Sequence, residues 1–254
     1  MRALLLALLL LGAGRAQAAD IHVMISGGFT AAYEALRPGF ERSSGHKLVT
    51  VRGASMGTAP TALPMRLRQG EPADVLIMVG DALAALQTEG RVVANSRVDL
   101  ANSAIGMAVR AGAARPDIGS VDSLRQTLLA ARSVGYSVSA SGQYISGQLF
   151  QRLGIAEQMQ GRGKLVLGEP VAAQVARGEI ELGFQQMSEL LPVPGITIVG
   201  PLPAAMQHYT VFSGGVASAA RQPEAAAALL RYLAGPAARE AITASGLQPW
   251  GSGN

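Results

Sequence analysis

The sequence contains no cysteine among its 254 residues, a single tryptophan and few other aromatic side chains. Without cysteine the chain has neither disulfide bonds nor thiol chemistry, so its stability must come from a buried core. Aromatic residues make up only 4% of the chain, and aromatic side chains are the usual stacking platforms for unpaired bases. The hydrophobic content of 49% is sufficient for the core of one large domain or two smaller ones.

Lysine is also scarce, because Lys47 and Lys164 are the only two and no run of basic residues occurs. Without residues 1–19, which include Arg2 and Arg15, the chain has 19 basic and 17 acidic residues and a net charge of +2. A protein that binds nucleic acid carries a clustered basic patch. We therefore expect no nucleic-acid partner, and an anion site in this chain would be built mainly from backbone amides and hydroxyls.

Residues 1–19 have the three parts of a secretory signal peptide. Arg2 provides the short charged start, Ala3 to Leu11 form an apolar run, and Ala16-Gln17-Ala18 is a small-residue cleavage site. The apolar run is too short to cross a bilayer as a helix. We expect cleavage near residues 18–19, a periplasmic location, and no membrane insertion of the mature protein.

Strand-like and helix-like segments alternate along the rest of the chain. Ile21, Val23 and Ile25 recur at every second position, and apolar residues from Phe29 to Phe40 then follow at helical spacing. Similar β-turn-α units recur through the chain. This order predicts an α/β fold in which mostly parallel sheets are flanked by helices.

Two further strand-like segments, near residues 100–105 and 203–210, divide these units into two groups. They suit a chain that leaves its first lobe and later returns to it. We therefore predict lobe 1 from residues 20–102 plus 206–254, lobe 2 from residues 103–205, and a ligand cleft between the lobes.

Three clusters of glycine and hydroxyl residues, at 26–28, 53–58 and 137–144, each end a strand-like run and open a helix-like one. Free N–H groups at such a junction, with nearby hydroxyls and the helix dipole, form a site for an anion. The alternative is that Ser26 and Ser55 only cap helices and that the third cluster is a solvated turn. The ligand contacts predicted in these clusters are Ser26, Gly27, Ser55, Met56, Ser139, Ser141, Gly142 and Tyr144.

The segment Gly53-Ala54-Ser55-Met56-Gly57 also matches the G-x-S-x-G nucleophile elbow of hydrolases. That motif requires an acid and then a histidine downstream, and His208 is the only downstream histidine. Pro60 and Pro64 interrupt the helix that should follow the elbow. The three histidines are scattered and have no cysteine neighbours, so we expect no metal site.

The motifs resemble those of type II periplasmic solute-binding proteins, specifically the molybdate-binding family of ABC transporters. The resemblance covers the whole mature chain. The segments that carry it are Ser-Gly-Gly at 26–28, Gly-Ala-Ser-Met-Gly at 53–57, Glu-Pro-Ala-Asp-Val at 71–75, Ser-Ala-Ser-Gly-Gln-Tyr at 139–144 and Leu-Gly-Ile at 153–155.

The resemblance implies a tetrahedral oxyanion held by two serines of the first lobe and by amides and a tyrosine of the second. The serines correspond to Ser26 and Ser55, and the amides to Ser141 and a position near Val171. Gln186 occupies the position of the tyrosine. A carboxamide both donates and accepts hydrogen bonds, so this departure favours an organic anion over a bare oxyanion.

The segment Gly-Phe-Gln-Gln at 183–186 resembles a branch of the family that includes aconitate isomerase, an enzyme that moves a double bond within a tricarboxylate by proton transfer. Two functions therefore remain open. The one we favour, because no single residue stands out as a catalytic base, is a monomeric receptor that passes a small anion, such as molybdate or more favourably a carboxylate, to an ABC permease without a cofactor. The other is an isomerase in the same cleft, with Tyr144, Glu189, His208 and Tyr209 as equal candidates for the base.

Overall fold

The computed structural model describes residues 18–251, so nearly all of the predicted signal peptide lies outside the described residues. The described chain forms two β-sheets, each covered by helices. We call the six-stranded sheet with its helices the first lobe, and the five-stranded sheet with its helices the second lobe.

The first lobe is built on a sheet with the strand order β11-β4-β10-β3-β1-β2. Its strands, numbered along the whole chain, are β1 (Asp20–Ile25), β2 (Lys47–Arg52), β3 (Val75–Val79), β4 (Val98–Ser103), β10 (Thr210–Val216) and β11 (Gln248–Pro249). Its helices are α1 (Gly27–Ser44), α2 (Leu63–Arg68), α3 (Gly80–Thr88), α9 (Pro223–Ala234) and α10 (Arg239–Ala244), with a short 3-10 helix at Pro236–Ala238.

The second lobe is built on a sheet with the order β7-β6-β8-β5-β9. Its strands are β5 (Ile105–Arg110), β6 (Val134–Ser137), β7 (Gly163–Val166), β8 (Leu182–Gln186) and β9 (Ile196–Pro201). Its helices are α4 (Val121–Ala130), α5 (Ala140–Tyr144), a π-helical turn at Ile145–Leu149, α6 (Phe150–Arg152), α7 (Val171–Arg177) and α8 (Met187–Leu190), and a 3-10 helix covers Ala204–Met206.

The two-lobed α/β architecture and the predominance of parallel strands agree with the sequence prediction, and each sheet also contains at least one antiparallel strand. β1 is parallel to β2 and β3, and β6 is parallel to β7 and β8. In contrast, β10 is antiparallel to β3 and β4, and β5 is antiparallel to β8 and β9. Both sheets are mixed because β5 and β10 enter their sheets from the opposite lobe and run against their neighbours.

The chain crosses between the sheets twice. Ser103 ends β4 and Ile105 begins β5, and on return Pro201 ends β9 and Thr210 begins β10. The lobe boundaries at 102/103 and 205/206 stay a prediction. Both crossings run beside the end of β8, because Gln186 is the register partner of Ile105 and its side chain reaches Thr210.

The core of the first lobe lies on both faces of its sheet. Ile21, Val23 and Ile25 point to one face and pack with Phe29 and Tyr33 of α1, as expected from the alternation of side chains along a strand. The opposite face packs against α2 and α3. Burial on both faces anchors the carboxyl ends of β1 and β3. Within residues 18–251, no helix combines the length and apolarity needed to cross a bilayer.

Candidate functional site

The carboxyl ends of β1, β2 and β3 form one edge of the first lobe. Ser26 follows β1, and its N–H donates to the carbonyl of Ile77 in β3 at 2.9 Å. Ser55 follows β2, and its Oγ accepts from the N–H of Val79 at 3.0 Å. These bonds bring the two predicted serines to the same sheet edge, where both are buried.

Neither serine is a simple helix cap. Ser26 occupies the N-cap position of α1 but makes no side-chain capping bond, and its Oγ has no hydrogen-bond partner among the described residues. The cap of α2 is Ala62, so Ser55 is not a cap at all. Because the Ser55 oxygen accepts from Val79, its own hydrogen stays available to a ligand.

The third cluster lies in the second lobe, between β6 and α5. Ser137, Ser139 and Ser141 form a chain of hydroxyl contacts at 2.7 and 3.1 Å, and Ser141 is fully buried. The serines of this turn are therefore partly or fully withdrawn from solvent, although Val138 and Gln143 of the same cluster are exposed. A Cβ on Gly142 would overlap the backbone of Ser137, so only glycine lets α5 begin this close to the strand.

The loops of the two lobes face each other. The side-chain Nε2 of Gln143 lies 2.9 Å from the Sδ of Met56, and Ala140 packs on the core cluster of the first lobe. The predicted residue Met56 therefore contacts the opposite lobe. The serine-bearing turns that the sequence predicted as one site lie on facing surfaces.

Glu189 brings a carboxylate from the second lobe to this region. Its Oε1 lies 2.6 Å from the position that a Cβ on Gly27 would take, so the carboxylate lies directly against the start of α1. Burial raises the pKa of Glu189, and hydrogen bonds from the side chain of Gln185 and the backbone of Gln186 offset part of that rise. The result is a carboxyl group that takes up a proton more readily than an ordinary glutamate.

Gln185 links Glu189 to α7. Its Oε1 accepts from the N–H of Ala172 at 2.8 Å, and its Nε2 donates to the Oε2 of Glu189 at 3.4 Å. Sequence analysis did not assign Gln185 a ligand contact. The signal for it was the pair of glutamines at the end of an apolar strand, of which only one could face helix α7.

Gln186 has a side-chain atom without a partner in the described chain, whereas the side chain of Val171 is taken up by packing. The Nε2 of Gln186 donates to Thr210 Oγ1 at 2.7 Å, whereas its Oε1 is buried without a partner in the described part of the chain. Val171 begins α7 and its side chain packs beside Gly135 and Gly183. Only the backbone of Val171 could therefore contact a ligand, and both contacts stay predictions.

Tyr144 is bonded to the segment that forms the second crossing between the lobes. Its hydroxyl donates to the carbonyl of Met206 at 2.7 Å and accepts from Arg152 at 2.7 Å. The ring stacks on His208 with centroids 4.8 Å apart. For Tyr144 to donate to a ligand carboxylate, as the sequence analysis predicted, the bond to Met206 would have to break.

Four buried side-chain atoms lack hydrogen-bond partners among residues 18–251, and all four belong to segments where the lobes meet. They are Ser26 Oγ, Ser103 Oγ, Gln186 Oε1 and Ser188 Oγ. Ser103 is the register partner of Thr210, which binds Gln186. Buried polar atoms are nearly always paired, so these four atoms are the candidates for contact with an additional polar group. Sequence analysis missed Ser103 and Ser188, because nothing in their local sequence distinguishes them from core serines.

The contacts of Ser55 and His208 do not support the hydrolase alternative. The hydrogen-bond partner of the Ser55 hydroxyl is a backbone amide, and no histidine contacts it in the described chain. The imidazole of His208 stacks on Tyr144 instead. In the same range of residues, no group of three histidine, aspartate or glutamate side chains could hold a metal ion.

A family model described as bacterial extracellular solute-binding protein matches residues 21–248. The chain belongs to this family. A relative named aconitate isomerase, from Pseudomonas sp., is 49% identical over 227 residues, which cover 89% of this chain and 87% of the relative. The molybdate-binding protein ModA of Azotobacter vinelandii is 30% identical, over 93% of this chain and 94% of that protein.

The solved structures agree on the fold. The structure of the periplasmic molybdate-binding protein of Azotobacter vinelandii superimposes with a TM-score of 0.70 at 20% identity, over 89% of this chain and 98% of that one. At this identity the similarity demonstrates the two-lobed α/β fold and nothing finer. The family match over residues 21–248 and the relatives at 49% and 30% identity confirm the resemblance drawn from the motifs of the sequence.

Proposed function

We propose that this protein binds a small unsaturated tricarboxylate between its lobes and moves the double bond by proton transfer, as an aconitate isomerase does. It would act in the periplasm as a monomer after loss of residues 1–19, and without a cofactor. The relative that shares 49% identity over most of both chains supports this choice of reaction.

The observation that carries the proposal is the set of unpartnered polar atoms on both sides of the lobe junction. Ser26 Oγ in the first lobe can donate to a carboxylate, and Gln186 Oε1 in the second can accept from a protonated group. Leaving such atoms buried and unpaired costs about 1–3 kcal/mol each. A ligand carboxyl group that keeps its proton could donate to Gln186 Oε1 while another carboxylate accepts from Ser26, whereas a bare oxyanion has only acceptors and would leave Gln186 Oε1 unpaired.

The charge pattern is also consistent with an acid-base enzyme. The carboxyl group of Glu189 lies at the start of α1, beside the amides that would bind an anion. An ionised carboxylate at that place repels a bare dianion and a tricarboxylate alike. For a receptor it is a disadvantage, whereas a proton-transfer enzyme needs a group of this kind within reach of its substrate.

The test is to incubate the purified mature protein with cis-aconitate and follow trans-aconitate by proton NMR. We expect conversion to an equilibrium mixture, and the same mixture from trans-aconitate. Absence of conversion in both directions at high protein concentration would remove the isomerase function.

The second candidate function is a receptor that delivers a small anion to an ABC permease. The observation in its favour is the set of strand-end serines and amides together with the 30% identity to the molybdate-binding protein ModA. Calorimetry with molybdate, tungstate, sulfate, citrate and the aconitates separates the two. Tight molybdate binding without aconitate turnover would favour the receptor and would contradict the inference drawn from Gln186.

A further inference from the structure

The structure distinguishes among the four residues that the sequence offered as the base. The hydroxyl of Tyr144 is bonded to Met206 and Arg152. The ring of His208 stacks on Tyr144, and Tyr209 is 49% exposed. Only Glu189 has its ionisable group against the predicted anion-binding turn of the opposite lobe.

We infer that Glu189 is the residue that transfers the proton, and that Gln185 is the positioning residue that holds its carboxylate. This inference rests on the proposed isomerase function and names the acid-base group of the same site. Glu189 would be catalytic because it reaches the reacting carbon, and Gln185 would act only through Glu189.

The geometry at Gly27 supports the inference. A substrate carboxylate bound by the Ser26 hydroxyl and the first amides of α1 would lie at the positive end of the helix dipole. The methylene carbon next to that carboxylate is one bond away from it. Because Glu189 Oε1 lies against Gly27, it lies beside the position of that methylene group.

The reaction balances with one group that takes and returns a single proton. The Glu189 carboxylate removes a proton from the terminal CH2 of the substrate, and the electron pair of that C–H bond forms a new double bond to the central carbon. The original double-bond pair moves to the other terminal carbon, where the adjacent carboxylate stabilises it. Protonated Glu189 then returns the proton to that carbon, so the double bond has moved and the enzyme is restored.

The surroundings of Glu189 suit this role, because burial raises its pKa toward the range of a useful base. The elements packed most closely on α8 are α1, β5 and β8. α1 contributes Gly27, and its first charged residue is Glu34, two turns further along. β8 contributes only neutral glutamines, and the one charged residue of β5, Arg110, lies at the end of the strand away from Gln186.

Gln185 fixes the carboxylate from the other side. Its bond to the Ala172 amide orients the carboxamide, so the Nε2 points to Glu189. The bond from Gln185 Nε2 to the carboxylate favours the ionised form of Glu189 and lowers its pKa. Removal of Gln185 should therefore raise the pKa of Glu189 and loosen its position.

The decisive variant is Glu189→Gln, which keeps the shape of the side chain and removes its ability to carry a proton. We expect kcat for aconitate to fall by about 10²- to 10⁴-fold, and exchange of the substrate methylene protons in D2O to stop. The dissociation constant for trans-aconitate, measured by calorimetry, should stay the same or decrease, because a negative charge is removed. The matched control is Glu157→Gln, the same change at an exposed site of the second lobe, which should keep wild-type kcat.

A Glu189→Gln variant that keeps wild-type turnover or exchange would overturn the inference while leaving the isomerase function intact. Failure of the wild-type protein to turn over aconitate would instead remove the proposed function itself. If Glu189→Gln does not fold, Glu189→Asp decides, since it withdraws the carboxylate by one methylene group. Unchanged kcat in that variant would contradict the assignment, and a reduced kcat with unchanged binding would support it.

Gln185→Met tests the positioning role through the pH profile. Activity requires ionised Glu189, so kcat/KM should fall as pH decreases through the pKa of that group. Loss of the Gln185 bond should shift this acid limb to higher pH. An acid limb at the wild-type position, with only a lower Tm, would mean that Gln185 is merely structural.

Discussion

Replacement of Gly142 by alanine tests the placement of the third cluster. A Cβ at this position would lie 2.6 Å from the carbonyl carbon and 2.7 Å from the nitrogen of Ser137, with the carbonyl oxygen closer still. These are backbone atoms at the end of β6 and cannot rotate away. To bring the carbonyl carbon alone to an ordinary contact of 3.4 Å, α5 would have to move by about 0.8 Å from the strand, and the nearer carbonyl oxygen requires a larger movement.

Overpacking of this kind typically lowers the free energy of unfolding by about 1–3 kcal/mol. The intrinsic preference of a helix for alanine over glycine, about 1 kcal/mol, offsets part of that loss. The matched control is Gly147→Ala in the adjoining π-helical turn, where a Cβ would meet no atom within 4 Å. That variant should be unchanged or slightly more stable than the wild type.

Thermal unfolding followed by circular dichroism measures the difference. Because the helix preference for alanine applies to both variants, the gap between them is the overpacking cost of about 1–3 kcal/mol, which corresponds to roughly 2–12 °C in Tm for a protein of this size. Gly142→Ala should also bind its ligand more weakly, because the amide of Ser141 moves with the helix. Equal Tm values for the two variants would refute the close packing of α5 on Ser137.

Three other changes follow from the same contacts. Ser26→Ala removes a hydroxyl that has no partner within residues 18–251, so urea unfolding should show no loss of stability, while calorimetry should show a ligand affinity weaker by about 1.5–3 kcal/mol, the value of a hydrogen bond to a charged group. Ser55→Ala leaves the buried Val79 N–H unpaired, so it should lower the free energy of unfolding by about 1–3 kcal/mol in addition to weakening binding; wild-type values of both quantities would remove Ser55 from the site. The pKa of Glu189 is higher in the folded protein than its ordinary value of 4.5, so ionisation of this group as pH rises above 4.5 destabilises the folded wild type. The stability of Glu189→Gln relative to the wild type should therefore rise as pH increases from below 4.5 toward neutral. A stability difference independent of pH would contradict a raised pKa.

Local sequence was sufficient to predict the two-lobed α/β fold and the ends of its strands. Ile21, Val23 and Ile25 indicate β1 because side chains two residues apart point to the same face of a strand. Ser26 follows directly where that alternation ends. The same holds for Ser55 after β2 and for the cluster after β6. These positions were predictable because a strand, a turn and a helix start are each specified within a few residues.

The direction of β5 and β10 was not predictable in this way. Both strands are largely buried and carry no local sign of their direction, which depends on which lobe the chain has just left. That choice is made by the packing of segments far apart in the sequence. It gives each sheet a strand that runs against its neighbours and so makes both sheets mixed.

The sequence alone determined which groups are available for an anion, namely hydroxyls, amides and carboxamides with little fixed positive charge. The tertiary structure alone decided which of them meet. It joined Tyr144 to Met206, and it brought Glu189 to Gly27 across the lobe junction. The physical reason is that a hydrogen-bond partner and the degree of desolvation, which set the chemistry of a polar group, come from residues distant in sequence and are absent from the local pattern.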